Sequence, residues 1–144
     1  MVSLRKLSDF SEKSEFKDYI DGINVFRSYY QWSQKNYDVS NIKDVYLIRY
    51  INNIVGFIEA SYNNLEIDTK NPVTLFLHEL HISPKMQGKG IGEATLNLLL
   101  DKNVLIEMVV VNDNKSMLKL VDKLNGESKY ITENTRTIQL SRFQ

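Results

Sequence analysis

At 144 residues the chain has the size of one compact domain, which at roughly 150 residues buries about 68–70% of the surface its unfolded form exposes. A hydrophobic share of 42% excludes a disordered chain, and eighteen basic residues balancing eighteen acidic ones give no net pull toward nucleic acid or membrane. The absence of cysteine excludes a disulfide scaffold, a thiolate zinc site and a cysteine nucleophile.

Val2 to Leu7 reads as a short first strand. From Ser11 to about Asn36, the residues Phe16, Tyr19, Ile20, Ile23, Phe26 and Tyr30 recur at helical spacing, with Gly22 placed to divide the stretch in two. Asp44 to Ile51 and Ile54 to Tyr62 are rich in Val, Ile and Tyr and predict two strands, with Asn52-Asn53 as the hairpin turn between them. Val73 to Ser83 predicts a third strand that stops at Pro84, because proline disfavours helical geometry at the residue before it.

Gly90 to Leu100 predicts an apolar helix with Ile91, Ala94, Thr95, Leu98 and Leu99 on its buried face. Val104 to Val111, broken only by Glu107, predicts a strand covered on both faces. Asp113 to Leu124 predicts an amphipathic helix with Met117, Leu118, Val121 and Leu124 inward, and strands near Ser128 to Thr132 and Thr135 to Ser141 close the chain. A mixed α/β sheet with helices packed on it follows, including a parallel pair around the Gly90 helix.

The strongest chemical signal is Pro84-Lys85-Met86-Gln87-Gly88-Lys89-Gly90-Ile91-Gly92, set between a strand and a helix. Glycines there let backbone N–H groups converge on a ligand, and the helix N-terminus adds unpaired donors and a positive dipole end. A phosphate group fits that arrangement, with Lys89 as a mobile countercharge. Neither a Walker loop nor the dinucleotide fingerprint matches: no Ser or Thr follows Gly88-Lys89, and Glu93 or Thr95 stands where the last fingerprint glycine belongs.

Gln87-Gly88-Lys89-Gly90-Ile91-Gly92 resembles the Q/R-x-x-G-x-G/A pyrophosphate loop of the GNAT acetyltransferases, and Leu80-His81-Ile82-Ser83-Pro84 resembles the end of that family's fourth strand. Asn114 through Gly126 is similar to the family's N-x-x-A-x-x-x-Y-x-x-x-G-F segment. The resemblance implies one domain over residues 1–144, with a mixed, mostly antiparallel sheet and helices on both faces. It implies acetyl-CoA as co-substrate: the backbones of Leu80 and Ile82 on the pantetheine arm, residues Gln87, Gly88, Lys89, Gly90, Ile91 and Gly92 on the pyrophosphate, and Asn114 at the cofactor or bracing the strands. The competing reading of Asn114 is a local one, at the start of a helix.

Acyl transfer to an amine needs a base, donors for the oxyanion and a proton for the thiolate. His78 lies nine residues before Gln87, an offset at which related acetyltransferases often place Glu or His, and imidazole suits proton transfer at neutral pH. Glu79 is the second candidate base. On a regular strand Glu79 and His81 face away from His78, which also argues against one metal site built from both histidines, whereas a bulge reverses the geometry. His81 is expected to pack or face solvent.

Val121 departs from the family, because it falls where many members carry the tyrosine that protonates the leaving thiolate, and Asn125-Gly126 stands in place of Gly-Phe. A CoA-binding module with little catalysis is therefore the second hypothesis, and a fold kept only for interaction the third. The acceptor is expected to be an amine of unspecified identity, in a cytoplasmic protein with no membrane span and with nucleic acid disfavoured as a partner. Oligomeric state stays open, a homodimer included. The aromatic residues of the first helical region read mainly as core, with a lining of the acceptor cleft as the lesser alternative, and Lys115, Lys119 and Lys123 as a solvated helix face, with a nucleic-acid or adenosine-phosphate contact as theirs.

Overall fold

The computed structural model describes residues 1–6, 45–62, 73–102 and 104–142. The helices expected between Ser11 and Asn36 lie outside these residues.

Seven strands form one sheet in the order β1-β2-β3-β4-β5-β7-β6. They are β1 (Val2–Lys6), β2 (Val45–Tyr50), β3 (Asn53–Tyr62), β4 (Val73–Ile82), β5 (Val104–Val111), β6 (Glu127–Ile131) and β7 (Thr135–Leu140). Every neighbouring pair is antiparallel except β4 and β5, which run parallel. Parallel neighbours need a crossover, supplied here by helix α1 (Ile91–Leu100). Helix α2 (Lys115–Lys123) then joins β5 to β6.

Both helices pack on the same face of the sheet. Ile91, Leu96, Leu99 and Leu100 of α1 and Val121 of α2 join Ile48, Ile58, Ala60, Leu75, Leu77, Ile106, Ile138 and Leu140 in one buried cluster. The inward face of α1 is rotated slightly from the expected one: Leu96 and Leu100 are buried, while Ala94 and Leu98 are only half-buried. The helices also touch each other. A Cβ on Gly92 would sit 3.3 Å from Leu120, and Lys123 Nζ pairs with Glu93 at 2.9 Å. That exposed pair adds at most about 1 kcal/mol, so apolar burial holds the helices in place. On the other face Val45, Leu47 and Phe57 are buried as well. No described helix is long and apolar enough to cross a membrane.

Two local expectations need correction. The β2–β3 turn is centred on Ile51-Asn52, because Tyr50 pairs with Asn53 and the positive φ values fall on Ile51 (49°) and Asn52 (66°). This is the signature of a two-residue hairpin whose twist matches that of the strands. The pair Asn52-Asn53 drew the expected turn one residue too far along. The second correction concerns β5, where Val104, Ile106, Met108 and Val110 are buried but Val109 is 66% exposed. Its continuous apolar composition conceals an ordinary alternation, with the outer face less covered near the strand's C-terminal end.

Ile51 is β-branched, 66% exposed and held in left-handed geometry. Left-handed geometry costs a residue with a Cβ about 1–2 kcal/mol, and asparagine tolerates it better. Ile51→Asn should therefore raise stability by about 1 kcal/mol, seen in a thermal melt as a gain of a few degrees. An unchanged or lower midpoint would show that the turn is not strained.

Candidate functional site

The site begins where a ladder ends. β4 and β5 are paired in register only from Val73–Val104 to Phe76–Glu107, although β4 continues to Ile82 and β5 to Val111. Beyond that point β5 stays paired with β7 alone, as far as Val111–Thr135, and β4 stays paired with β3 as far as Ile82–Gly56. The two central strands part, and a cleft opens between them.

A β-bulge marks the same place. Glu59 pairs with Glu79 and Ala60 with Leu77, so His78 is an extra residue on β4 with no register partner. The bulge changes which side chains share a face. Leu77 lies on the helix side with Ala60, and Leu80 and Ile82 pack against the helix-side core. Glu79 and His81 lie on the opposite side, in register with Glu59 and Phe57. His78 reaches that side too, since its Nε2 is 2.8 Å from Ser61 Oγ. The regular-strand expectation that separated His78 from Glu79 and His81 is thus replaced by the bulged one, which brings all three together.

The ladder geometry also assigns the backbone of this strand. The Ser83 N–H donates to Val55 O at 2.8 Å, which makes Ile82 and Gly56 a non-hydrogen-bonded pair. By alternation the N–H and C=O groups of Leu80 and Ile82 point away from β3, toward the cleft. Strand β3 comes in tightly at this point: a Cβ on Gly56 would lie 2.1 Å from His81 O, so only glycine fits there.

From the end of β4 the chain makes a single 3₁₀ turn, Pro84–Met86, before the glycine loop. Gly88 and Gly90 both take φ of 78°, and an added Cβ at either would meet nothing within 4 Å. Backbone conformation, not crowding, therefore requires these glycines, and it leaves the loop's surface open to a ligand. Gly90 is the N-cap of α1 and has no side chain with which to cap it. The Gln87 side chain donates to Ile82 O at 3.1 Å, tying the loop back to β4.

A groove of about 480 Å³ runs along this loop, lined by Leu80, His81, Ile82 and Met86 on one side, by the loop, and by the start of α2 on the other. The N-termini of both helices open onto it, so two sets of backbone donors and two positive dipole ends converge. The groove continues into a smaller cavity of about 120 Å³ between the parted strands, walled by His78, Glu79 and Val109. Leu80, His81, Asn114 and Met117 line both spaces. Asp113, Ser116, Met117 and Leu120 were not singled out as site residues in the sequence, where only Asn114, through the resemblance, tied the start of α2 to the cofactor.

At the junction of the two spaces, His81 Nε2 is hydrogen-bonded to Glu79 Oε2, with each side chain 14% exposed. The imidazole stacks on Phe57 with ring centroids 4.8 Å apart and planes 28° off parallel. His81, expected only to pack or to face solvent, does pack, and it also makes this hydrogen bond. His78 is more exposed and lines only the smaller cavity.

Residues 7–126 match the sequence model of the acetyltransferase (GNAT) family. The chain belongs to the GNAT acetyltransferase family. Solved structures resemble this GNAT chain over almost its whole length. Naa50 of Arabidopsis thaliana, in complex with the bisubstrate analogue CoA-Ac-MVNAL, is 18% identical, with 97% of this chain and 98% of that one covered and a TM-score of 0.63. PH1933 of Pyrococcus horikoshii OT3 is 21% identical, with both chains fully covered (100% each) and a TM-score of 0.64. A GNAT-family acetyltransferase of Streptococcus agalactiae 2603 is 12% identical, with 99% and 96% covered and a TM-score of 0.74. At such identities the likeness concerns the fold. No curated protein sequence matches the chain.

Two positions of this GNAT domain are now placed. Val121 is 3% exposed within the buried cluster, and so it serves packing and offers no proton. Asn114 is the N-cap of α2, its Oδ1 accepting from the Met117 N–H at 3.3 Å, while the residue also lines the cleft. Its local role is met by a definite hydrogen bond. Asn114→Ala should cost about 1 kcal/mol of stability by denaturant titration, with Asn114→Asp close to wild type. Equal losses in both variants would show that the cap is not what Asn114 contributes.

Proposed function

We propose that this GNAT chain, a single domain over residues 1–144, is an acetyl-CoA-dependent N-acetyltransferase acting on a primary amine of a small molecule or protein in the cytoplasm. The observation that carries the reading is the continuous path from the glycine loop, through the groove, into the gap between the parted strands.

Each part of the path suits a part of the co-substrate. Backbone donors of Gly88 to Gly92, with Lys89 alongside, suit the pyrophosphate. The Leu80 and Ile82 backbones face the cleft as a strand edge does, and an amide-bearing pantetheine arm can add there as a short extra strand. The thioester then falls in the small cavity near His78 and Glu79, from which a base takes the amine proton. The amine nitrogen attacks the carbonyl carbon, the C–N bond forms, and the C–S bond breaks to release CoA.

Buried Val121 favours one second reading, a GNAT module that binds CoA without efficient turnover. The two readings part on activity. The first predicts saturable acetyl-CoA binding by calorimetry and CoA release with some amine in a broad panel. Tight binding without acetyl transfer across the panel selects the second. Gly90→Val, which forces a β-branched residue to φ 78°, should abolish binding in a protein that still folds. Undiminished affinity in that variant would overturn the placement of the pyrophosphate and with it both readings.

A further inference from the structure

The Glu79–His81 pair has features that neither residue has alone. A carboxylate only accepts hydrogen bonds, so the Nε2 bound to Glu79 carries a proton. In the neutral ring Nδ1 is then the basic atom, and a positive charge arriving there is stabilised by the carboxylate on the far side. This is the logic by which a buried acid orients a catalytic histidine. The ring is also fixed in plane by Phe57, and both partners are largely withdrawn from water.

Position distinguishes this histidine from the other. His81 lines both the cofactor groove and the smaller cavity, whereas His78 lines only the cavity and is hydrogen-bonded to Ser61. A group at the junction can reach the amine and the sulfur in turn. The α2 position that supplies an acid in many GNAT enzymes is filled here by buried Val121, which has no proton to give.

We propose that His81, held by Glu79, carries the proton from the acceptor amine to the departing thiolate. The proposal rests on the acetyl-transfer reading above. As the amine nitrogen bonds to the thioester carbon, its proton passes to His81 Nδ1. When the C–S bond breaks and sulfur takes its electron pair, the imidazolium returns that proton, so amide and CoA thiol leave with His81 restored to its starting form. Among the described residues, the other charged or titratable groups around the pair are Glu59 across on β3, His78 at the bulge, and Asp113 and Lys115 on the α2 wall of the groove.

The test combines a spectrum and a rate. The chain has two histidines, so ¹⁵N-histidine NMR of the wild type and of His78→Ala assigns the His81 ring. Its Nε2 should be the protonated nitrogen, and Glu79→Gln should convert it to a mixture of tautomers. His81→Phe keeps an aromatic ring beside Phe57, and kcat should fall about 10²–10³-fold with KM for acetyl-CoA nearly unchanged. The ascending limb of the wild-type pH–rate profile should disappear in the same variant. An Nδ1–H tautomer in the wild type, which needs no variant to fold, overturns the relay. So does kcat within twofold of wild type for His81→Phe, with the limb intact. Wild-type protein that binds acetyl-CoA but transfers nothing overturns the relay together with the acetyl-transfer reading.

Discussion

The β4–β5 ladder stops after four register pairs, from Val73–Val104 to Phe76–Glu107, and the rest of the site depends on that stop. Had pairing continued to Ile82 and Val111, the cleft-facing groups of Leu80 and Ile82 would be satisfied within the sheet and no cleft would exist. The bulge at His78 lies two residues past the last pair. It bends β4 and shifts its side-chain alternation, so the polar residues of the strand gather at the opening. Beyond the stop, β5 stays paired with β7, and β4 with β3, whose Gly56 approaches it closely. The gap therefore separates two paired halves of the sheet and does not rely on a loop.

Work is divided between backbone and side chains within this frame. In the proposed reading, backbone groups of the loop, of β4 and of the helix N-termini supply the recognition surface, and they depend on conformation more than on residue identity. The same reading confines side-chain chemistry to a few positions near the bulge. That division is consistent with TM-scores of 0.63–0.74 alongside identities of 12–21% among the three structures compared.

How much of this was legible in the sequence follows from the range of the interactions involved. The strand–glycine loop–helix unit was readable because positive φ and a helix start are local demands, met at Gly88 and Gly90 in consecutive turns of chain. The Lys115 helix was readable from its periodicity and the Val104 strand from its unbroken apolar run, although that run hid the alternation of its two faces. The hairpin was misplaced by one residue because strand register, not asparagine content, decides which residues turn. The bulge could only be named as an option, because an extra residue on β4 is defined by its partner β3. Glu79 and His81, two residues apart, share a face with or without that bulge, and what the bulge adds is His78 on the same side. The facing of α2's N-terminus toward the glycine loop is a packing result, signalled in sequence by Asn114 through the resemblance and by the small residue Gly92 opposite Leu120.

A crystal structure with acetyl-CoA tests the central claim most directly. The pyrophosphate should lie on the Gly88–Gly92 amides, the pantetheine arm should hydrogen-bond the backbone of Leu80 or Ile82, and the thioester should sit beside Glu79 and His81 between the parted strands. A cofactor bound elsewhere, or one whose arm leaves the gap between β4 and β5 empty, would contradict the account.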